Sequence, residues 1–250
     1  MKVGLIIVVV VIVFISTMFY FVNKISFDKN SINKESDKKI LNDNNTDFSN
    51  PERTPHYENS FPAHQDILAI LPYDVVINFN FDLDEISEIS IMNNDNEYGD
   101  GETKIENELT LRRAMDQTAP DGLYTVKYKA CWPDKSCHNG KFQFIVDKTL
   151  KESFVDMRNQ NIIEIKMSDI SFKPEKILVS KGTTITWIND ELPVHYVNTD
   201  PHAGHNYFHE LNSRALKQGD NYTLRFEKQG IYPYHCSAHA SYMKGVVLVE

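Results

Sequence analysis

A loop near the C-terminal end of the chain places three possible metal ligands between two strand-like runs. Cys236, His239 and Met243 supply a thiol, an imidazole and a thioether within eight positions. Residues 230–235 before the loop and 245–249 after it have the composition of strands. Three such ligands on one short loop need a rigid sheet framework, so this feature constrains the fold more than any other.

Soft sulfur ligands beside imidazole favour copper, and a blue-copper electron-transfer site is built from two histidines, one cysteine and a weak axial methionine. The loop supplies all of these except one histidine. A structural zinc site fits these ligands less well, because tetrahedral zinc sites rarely use methionine. A binuclear purple copper centre would need a second cysteine in the loop. The other histidines in this part of the chain are His195, His202, His205, His209 and His235.

The N-terminal residues 3–22 form an uncharged apolar run of 20 residues, flanked by Lys2 and Lys24. About 20 apolar residues are enough to cross a bilayer as a helix. No small-residue cleavage motif follows the run, so we expect residues 1–23 to be an uncleaved anchor, with a cleaved signal as the alternative. The predicted location is therefore the cell membrane, crossed once, with the folded domains on the extracytoplasmic side.

The chain contains three cysteines. Cys131 and Cys137 stand six positions apart around a Pro-Asp pair that can form a turn. We expect a disulfide between them in an oxidising compartment. Cys236 is then left over, and metal ligation would explain an odd cysteine in an exported protein.

The remaining sequence divides by composition. Residues 24–58 are polar with almost no apolar periodicity, which predicts a flexible tether. Residues 59–147 and 161–250 contain alternating runs separated by Asn, Gly and Pro clusters, which predict two β-sandwich domains. Residues 148–160 are expected to be a linker, so the fold class is all-β after an N-terminal transmembrane helix.

Charge excludes one class of partner. The net charge is −9, and residues 61–147 alone hold 16 acidic and 7 basic side chains. Phosphate binding needs a basic face, so nucleic acid is not an expected partner. The acidic middle domain could instead steer a cationic protein.

The last domain resembles a plastocyanin-type cupredoxin. The matching motifs are Ile-Thr-Trp-Ile-Asn at 185–189, Pro-x-His at 193–195, Gly-x-Tyr-x-Tyr-x-Cys at 230–236 and Cys-x-x-His-x-x-x-Met-x-Gly at 236–245. The resemblance implies a Greek-key sandwich with one type 1 copper held by His195, Cys236, His239 and Met243. Tyr196 departs from the family, which usually has Asn after the first ligand histidine to tie the ligand loops together.

The middle domain resembles the CopC-like copper-resistance family, and that resemblance implies an immunoglobulin-like sandwich. It rests on segments 60–63, 72–79, 121–128 and 138–144. In that family an Asp-x-His pair and an N-terminal histidine hold copper(II). Here His138 matches the histidine, Asp134 is displaced to four positions before it, and His56 is the other candidate, so a domain kept for its shape is the favoured interpretation.

These features predict a non-enzymatic electron carrier whose partners are redox proteins and the membrane, with no small-molecule substrate. The rival hypothesis is a copper chaperone or resistance protein. A copper oxidase would need His-x-His pairs, and a nitrite reductase would need a second catalytic copper. We expect His202, His205 and His209 to lie on a loop near the copper end. His235 should point away from the face that carries Cys236, and so should not be a ligand.

Overall fold

Eighteen short strands form most of the regular secondary structure in residues 48–250, the part of the chain that the computed structural model describes. Two 3-10 turns, Lys148–Ser153 and Ser237–His239, interrupt them. No helix within this range is long and apolar enough to cross a membrane. The anchor expected at residues 1–23 lies outside the described range, as does the tether as far as residue 47.

The first nine strands form two sheets. They are β1 (Tyr57–Phe61), β2 (Ile67–Leu68), β3 (Asp74–Phe79), β4 (Glu88–Asn93), β5 (Asn96–Glu97), β6 (Gly99–Glu106), β7 (Thr110–Met115), β8 (Gly122–Cys131) and β9 (Cys137–Val146). One sheet has the order β1-β3-β7-β6 and the other has the order β2-β9-β8-β4-β5. Alternation in β4 shows why these residues form strands, because Ile89 and Ile91 are buried whereas the neighbouring Glu88 and Ser90 are not.

A disulfide closes the hairpin between β8 and β9. Cys131 and Cys137 are bonded to each other, as the sequence predicted, and they pair across the hairpin. Cys236 remains a free, buried thiol. The odd cysteine is therefore available as a ligand.

The segment just before β1 differs from the predicted tether. Glu52 pairs with Lys141 of β9 through two backbone hydrogen bonds of 2.8 and 2.9 Å. The backbone N–H of Ser49 donates to Gln143 Oε1 at 2.6 Å. Polar composition gave no sign of this pairing, because backbone groups and an amide make it and apolar side chains do not.

The last nine strands form a second pair of sheets. They are β10 (Val155–Asp156), β11 (Ile162–Ser168), β12 (Ser171–Lys173), β13 (Lys176–Val179), β14 (Thr184–Asn189), β15 (Asn198–Thr199), β16 (Asn221–Arg225), β17 (Gly230–His235) and β18 (Lys244–Val249). The two sheets have the orders β12-β11-β14-β16 and β10-β13-β18-β17-β15. β11 runs parallel to β14, and β13 runs parallel to β18. The expected linker contributes β10, which pairs with β13.

A loop from the second sandwich is inserted against the first. Tyr207 is 1 % exposed, and its ring lies 4.2 Å from that of Phe61 and 4.5 Å from that of Tyr73. The Tyr73 hydroxyl donates to the Tyr207 carbonyl at 2.7 Å. Arg112, bound to Asp74 at 2.8 Å, also donates to the Tyr207 carbonyl at 3.3 Å. Residues 48–250 accordingly form one compact unit.

Candidate metal centre

The loop after β14 is shaped by a buried asparagine at the end of that strand. The Asn189 side chain donates to the carbonyls of Pro193 and Leu216 at 2.7 and 2.9 Å. His195 then pairs with Leu216 through two backbone hydrogen bonds of 2.9 and 3.0 Å. These contacts fix the backbone of His195, whose side chain is fully buried.

The loop after β17 is held just as firmly. The backbone N–H of Cys236 donates to the Met243 carbonyl at 3.0 Å, and the N–H of Met243 donates to the His239 carbonyl at 3.0 Å. The loop therefore folds back on itself, with Cys236 and Met243 buried and His239 half-buried. The three side chains that the sequence grouped belong to one hydrogen-bonded turn.

The two loops bring three donor atoms together. Cys236 Sγ lies 3.5 Å from His195 Nδ1 and 3.5 Å from His239 Nδ1. A metal bonded to one sulfur at about 2.3 Å and to two nitrogens at about 2.0 Å would separate such atoms by about 3.6 Å. Both sulfur–nitrogen distances therefore fit an ion shared by the thiolate and an imidazole, and all three donor atoms lie within 4.8 Å of one another. A soft thiolate with two imidazoles is a donor set that suits copper.

Tyr196 occupies the position where an asparagine side chain was expected to tie the loops together. Its backbone N–H points to Cys236 Sγ at 3.4 Å. This hydrogen bond needs no particular side chain at residue 196. The two ligand loops are therefore joined at the Cys236 sulfur, although Tyr196 stands where the family usually has asparagine.

His195 is also oriented from its other side. Its Nε2 atom lies 2.8 Å from Glu191 Oε1. The same carboxylate accepts the backbone N–H of Ile170 at 2.8 Å and that of Asp169 at 3.1 Å. Burial raises the pKa of Glu191, but these hydrogen bonds outweigh it and leave the pKa below its ordinary value. A carboxylate behind a ligand histidine fixes the tautomer and the ring orientation. No motif in the sequence marks Glu191 for this role.

A second group of histidines lies on the other side of β17. His202, His205 and His235 place one ring nitrogen each within 4.8 Å of the others. His235 faces away from Cys236, as alternation along a strand requires. His209, which the sequence grouped with His202 and His205, instead lies 3.6 Å from Glu106 Oε2.

Burial, followed by the neighbouring His235 and His202, lowers the pKa of His205 to about 4. This imidazole is therefore neutral at neutral pH.

The candidate ligands of the first sandwich lie around one indole ring. The ring of His56 stands 5.3 Å from that of Trp132, and the ring of His138 stands 6.3 Å from it. Both histidines are exposed, and His56 Nδ1 is bonded to Asn80 Oδ1 at 2.9 Å. Within residues 48–250 they do not belong to a cluster of three or more possible ligands.

The fold and the donor set define the second sandwich as a copper-binding domain of the cupredoxin class. Residues 159–250 match the family of copper binding proteins of the plastocyanin/azurin type. Residues 57–147 match the CopC domain. The chain thus carries a CopC domain followed by a plastocyanin/azurin-family copper-binding domain.

Known relatives match the second domain. Amicyanin-alpha of Methylorubrum extorquens is 29 % identical over 87 residues, which cover 35 % of this chain and 71 % of the relative. Amicyanin of Paracoccus denitrificans is 33 % identical over 88 residues, or 35 % of this chain and 65 % of the relative. A purple cupredoxin structure from Nitrosopumilus maritimus is 28 % identical, covers 35 % of this chain and 99 % of its own, and has a TM-score of 0.31.

Proposed function

We propose that the protein carries single electrons through one type 1 copper bound by His195, Cys236, His239 and Met243. One observation carries the proposal: the buried Cys236 thiol faces the Nδ1 atoms of both histidines at 3.5 Å. Copper, when bound, supplies a one-electron couple and deprotonates the thiol. The copper-binding family of this domain and its amicyanin relatives support the assignment.

The surroundings of the site suit electron transfer better than catalysis. Asn189 holds the loop of His195, and the loop of Cys236 is closed by its own backbone hydrogen bonds. A site whose ligands are fixed by the fold changes little when the metal changes its charge. That rigidity keeps the reorganisation energy small, and fast electron transfer requires a small reorganisation energy.

Exposed apolar side chains lie near the ligand histidines, of which His239 is only half-buried. Leu192 is 82 % exposed on the loop that leads to His195, and Tyr242 is 63 % exposed beside His239, with ring centroids 5.7 Å apart. Exposed apolar groups near a half-buried ligand favour transient contact with a protein. We infer that a redox protein docks here and exchanges electrons through His239.

We further propose that residues 1–23 anchor the protein to the cell membrane, with the folded domains on the extracytoplasmic side. The apolar run at residues 3–22 and the disulfide between Cys131 and Cys137 support this location. Protease treatment of cells stripped of their wall and of any outer membrane tests it. Domains that become accessible only after these cells are lysed would contradict the orientation.

An optical spectrum of the oxidised, copper-loaded chain tests the copper assignment. We expect an intense visible band from the bond between thiolate and copper, which Cys236→Ser should abolish. The matched control is the double variant Cys131→Ser/Cys137→Ser, which removes the other two sulfurs and should retain the band. The type 1 site would be refuted if the wild type lacked the visible band, or if Cys236→Ser retained it.

A copper-handling role is the second candidate, because the first domain matches the CopC family and gathers His56 and His138 around Trp132. A chaperone would exchange its copper readily and would lose copper on substitution of His138. We expect instead that His138→Ala leaves the visible band and the reversible redox couple unchanged. Loss of a copper equivalent in that variant would favour the handling role.

A further inference from the structure

Three imidazoles meet on the side of β17 opposite the thiol. His202 Nδ1 lies 3.2 Å from His235 Nε2, His205 Nε2 lies 3.1 Å from His235 Nε2, and His205 Nε2 lies 3.3 Å from His202 Nδ1. One ring nitrogen of each side chain therefore points at the same small space. Two of these side chains come from the loop that reaches the first sandwich, and the third comes from the strand.

Hydrogen bonds among the three nitrogens cannot satisfy this arrangement. Each contact needs one N–H and one lone pair, because a ring nitrogen is either a donor or an acceptor. With three nitrogens in mutual contact, any distribution of protons leaves at least one contact with two hydrogens or two lone pairs. An ion shared by three lone pairs leaves no such mismatch.

The spacing agrees with a shared ion. Imidazole nitrogens bind zinc and similar ions at about 2.0–2.1 Å, so two nitrogens at a tetrahedral centre lie about 3.3 Å apart. The three observed separations are 3.1, 3.2 and 3.3 Å. The triangle is already close to the size that coordination requires.

An acidic side chain prepares one of the three for binding. Asp200 Oδ1 lies 2.5 Å from His235 Nδ1, and the carboxylate accepts a hydrogen bond from the N–H group at that nitrogen. The Nε2 atom of His235 then presents a lone pair to the cluster. A carboxylate behind a ligand histidine is the usual support of a metal-bound imidazole, and here it lies behind the most deeply buried member, which is 1 % exposed.

We propose that His202, His205 and His235 form a second, mononuclear metal site that takes a divalent transition-metal ion, with copper(II) favoured. Imidazole ligands suit copper and zinc, and the general affinity order places copper(II) above zinc. His202 is exposed, which gives an ion a way in. Three protein ligands leave a fourth position open, and Ser237 Oγ, 3.2 Å from His205 Nε2, lies beside the cluster.

The two sites are neighbours in the chain. His235 belongs to the proposed site and Cys236 belongs to the first, so one peptide bond joins a ligand of each. A redox-active ion at the second site would therefore be linked to the Cys236 thiolate through two adjacent residues. The existence of the second site does not depend on the copper assignment at Cys236.

Metal counting on the full-length chain in detergent tests the proposal. The metal-free protein is loaded with excess copper(II), desalted, and measured for copper per chain and for its electron paramagnetic resonance spectrum. We expect two equivalents, one with the thiolate signature and one with the larger hyperfine splitting of copper bound by nitrogen. Loss of a supporting residue typically costs about 10–100-fold in metal affinity, so loss of a ligand in His202→Ala or His205→Ala should weaken the second equivalent by at least about 100-fold. Both variants should keep the visible band, which also reports correct folding.

His209→Ala is the matched control, because His209 lies on the same loop but outside the cluster, and it should keep both equivalents. His138→Ala should also keep both, which separates this site from one in the first sandwich. Asp200→Asn should weaken the second equivalent by about 10–100-fold, as loss of a supporting carboxylate does.

A wild-type chain that binds only the equivalent with the thiolate signature, or a nitrogen-bound equivalent that survives both His202→Ala and His205→Ala, would overturn the site. Zinc that displaces copper from the second equivalent would overturn the preference for copper(II). A wild-type chain that binds the nitrogen-bound equivalent but shows no visible band would instead refute the type 1 assignment.

Discussion

The carboxylate of Glu191 should lower the reduction potential of the copper at Cys236. Glu191 Oε1 lies 2.8 Å from His195 Nε2, and the side chain is 21 % exposed. A negative charge behind the imidazole favours the copper ion of higher charge. Glu191→Gln keeps the shape and an amide oxygen but removes the charge, so the potential should rise.

The size of the rise follows from the distance. The width of the ring and a metal–nitrogen bond of about 2 Å place the carboxylate oxygen about 7 Å from an ion on His195 Nδ1. Coulomb's law gives about 2.4 kcal/mol at an effective dielectric constant of 20 and about 0.6 kcal/mol at 80. For one electron, about 1.4 kcal/mol corresponds to about 59 mV, so we expect a rise of about 25–100 mV.

Voltammetry of the copper-loaded chain measures this difference. The matched control is Glu164→Gln, which removes the same charge from an exposed position on β11 away from His195. It should shift the potential by much less. The reasoning fails if the two variants shift the potential equally, or if Glu191→Gln lowers it while the visible band shows an intact site.

Three further predictions concern stability, measured by denaturant unfolding. Tyr207→Ala empties a buried aromatic site between the sandwiches and should cost about 3–5 kcal/mol; a loss below about 1 kcal/mol would show that the loop is not held there. Burial raises the pKa of Asp66 to about 6. Between about pH 4 and pH 6 the native state therefore binds more protons than the unfolded state, and stability falls as the pH rises. Asp66→Asn should remove this fall, at most about 2 kcal/mol after solvent screening, and a fall that persists in the variant would contradict the assignment. Replacing both Cys131 and Cys137 by Ala opens a short loop and should cost about 2 kcal/mol, without affecting the visible band; unchanged stability would count against the hairpin disulfide.

The spacing of ligand residues along the sequence was enough to predict most of the metal centre. Cys236, His239 and Met243 lie on one short loop, so their proximity depends on few backbone angles. His195 could be added only through the motifs that resemble a known family, because nothing local connects it to Cys236. The structure supplies the reason for its position, namely the Asn189 side chain and the pairing with Leu216.

Other features depended on contacts that the sequence does not encode locally. The sequence grouped His202 and His205 with His209, since all three share one loop. The fold instead turns His209 towards Glu106 and joins the other two to His235, some 30 residues further along the chain.

The sequence by itself determined the two β-rich regions, the disulfide and the sulfur-bearing ligand loop, because each depends on neighbours within a few residues or on alternation along a strand. The tertiary structure alone decided which carboxylate stands behind each histidine. It also decided that Tyr207 is inserted between the sandwiches and that a second triangle of imidazoles exists. The Asp200–His235 and Phe61–Tyr207 contacts join residues far apart in the chain, so only the folded structure brings them together. Glu191 and His195 are four residues apart, but their contact depends on how the loop after β14 is folded.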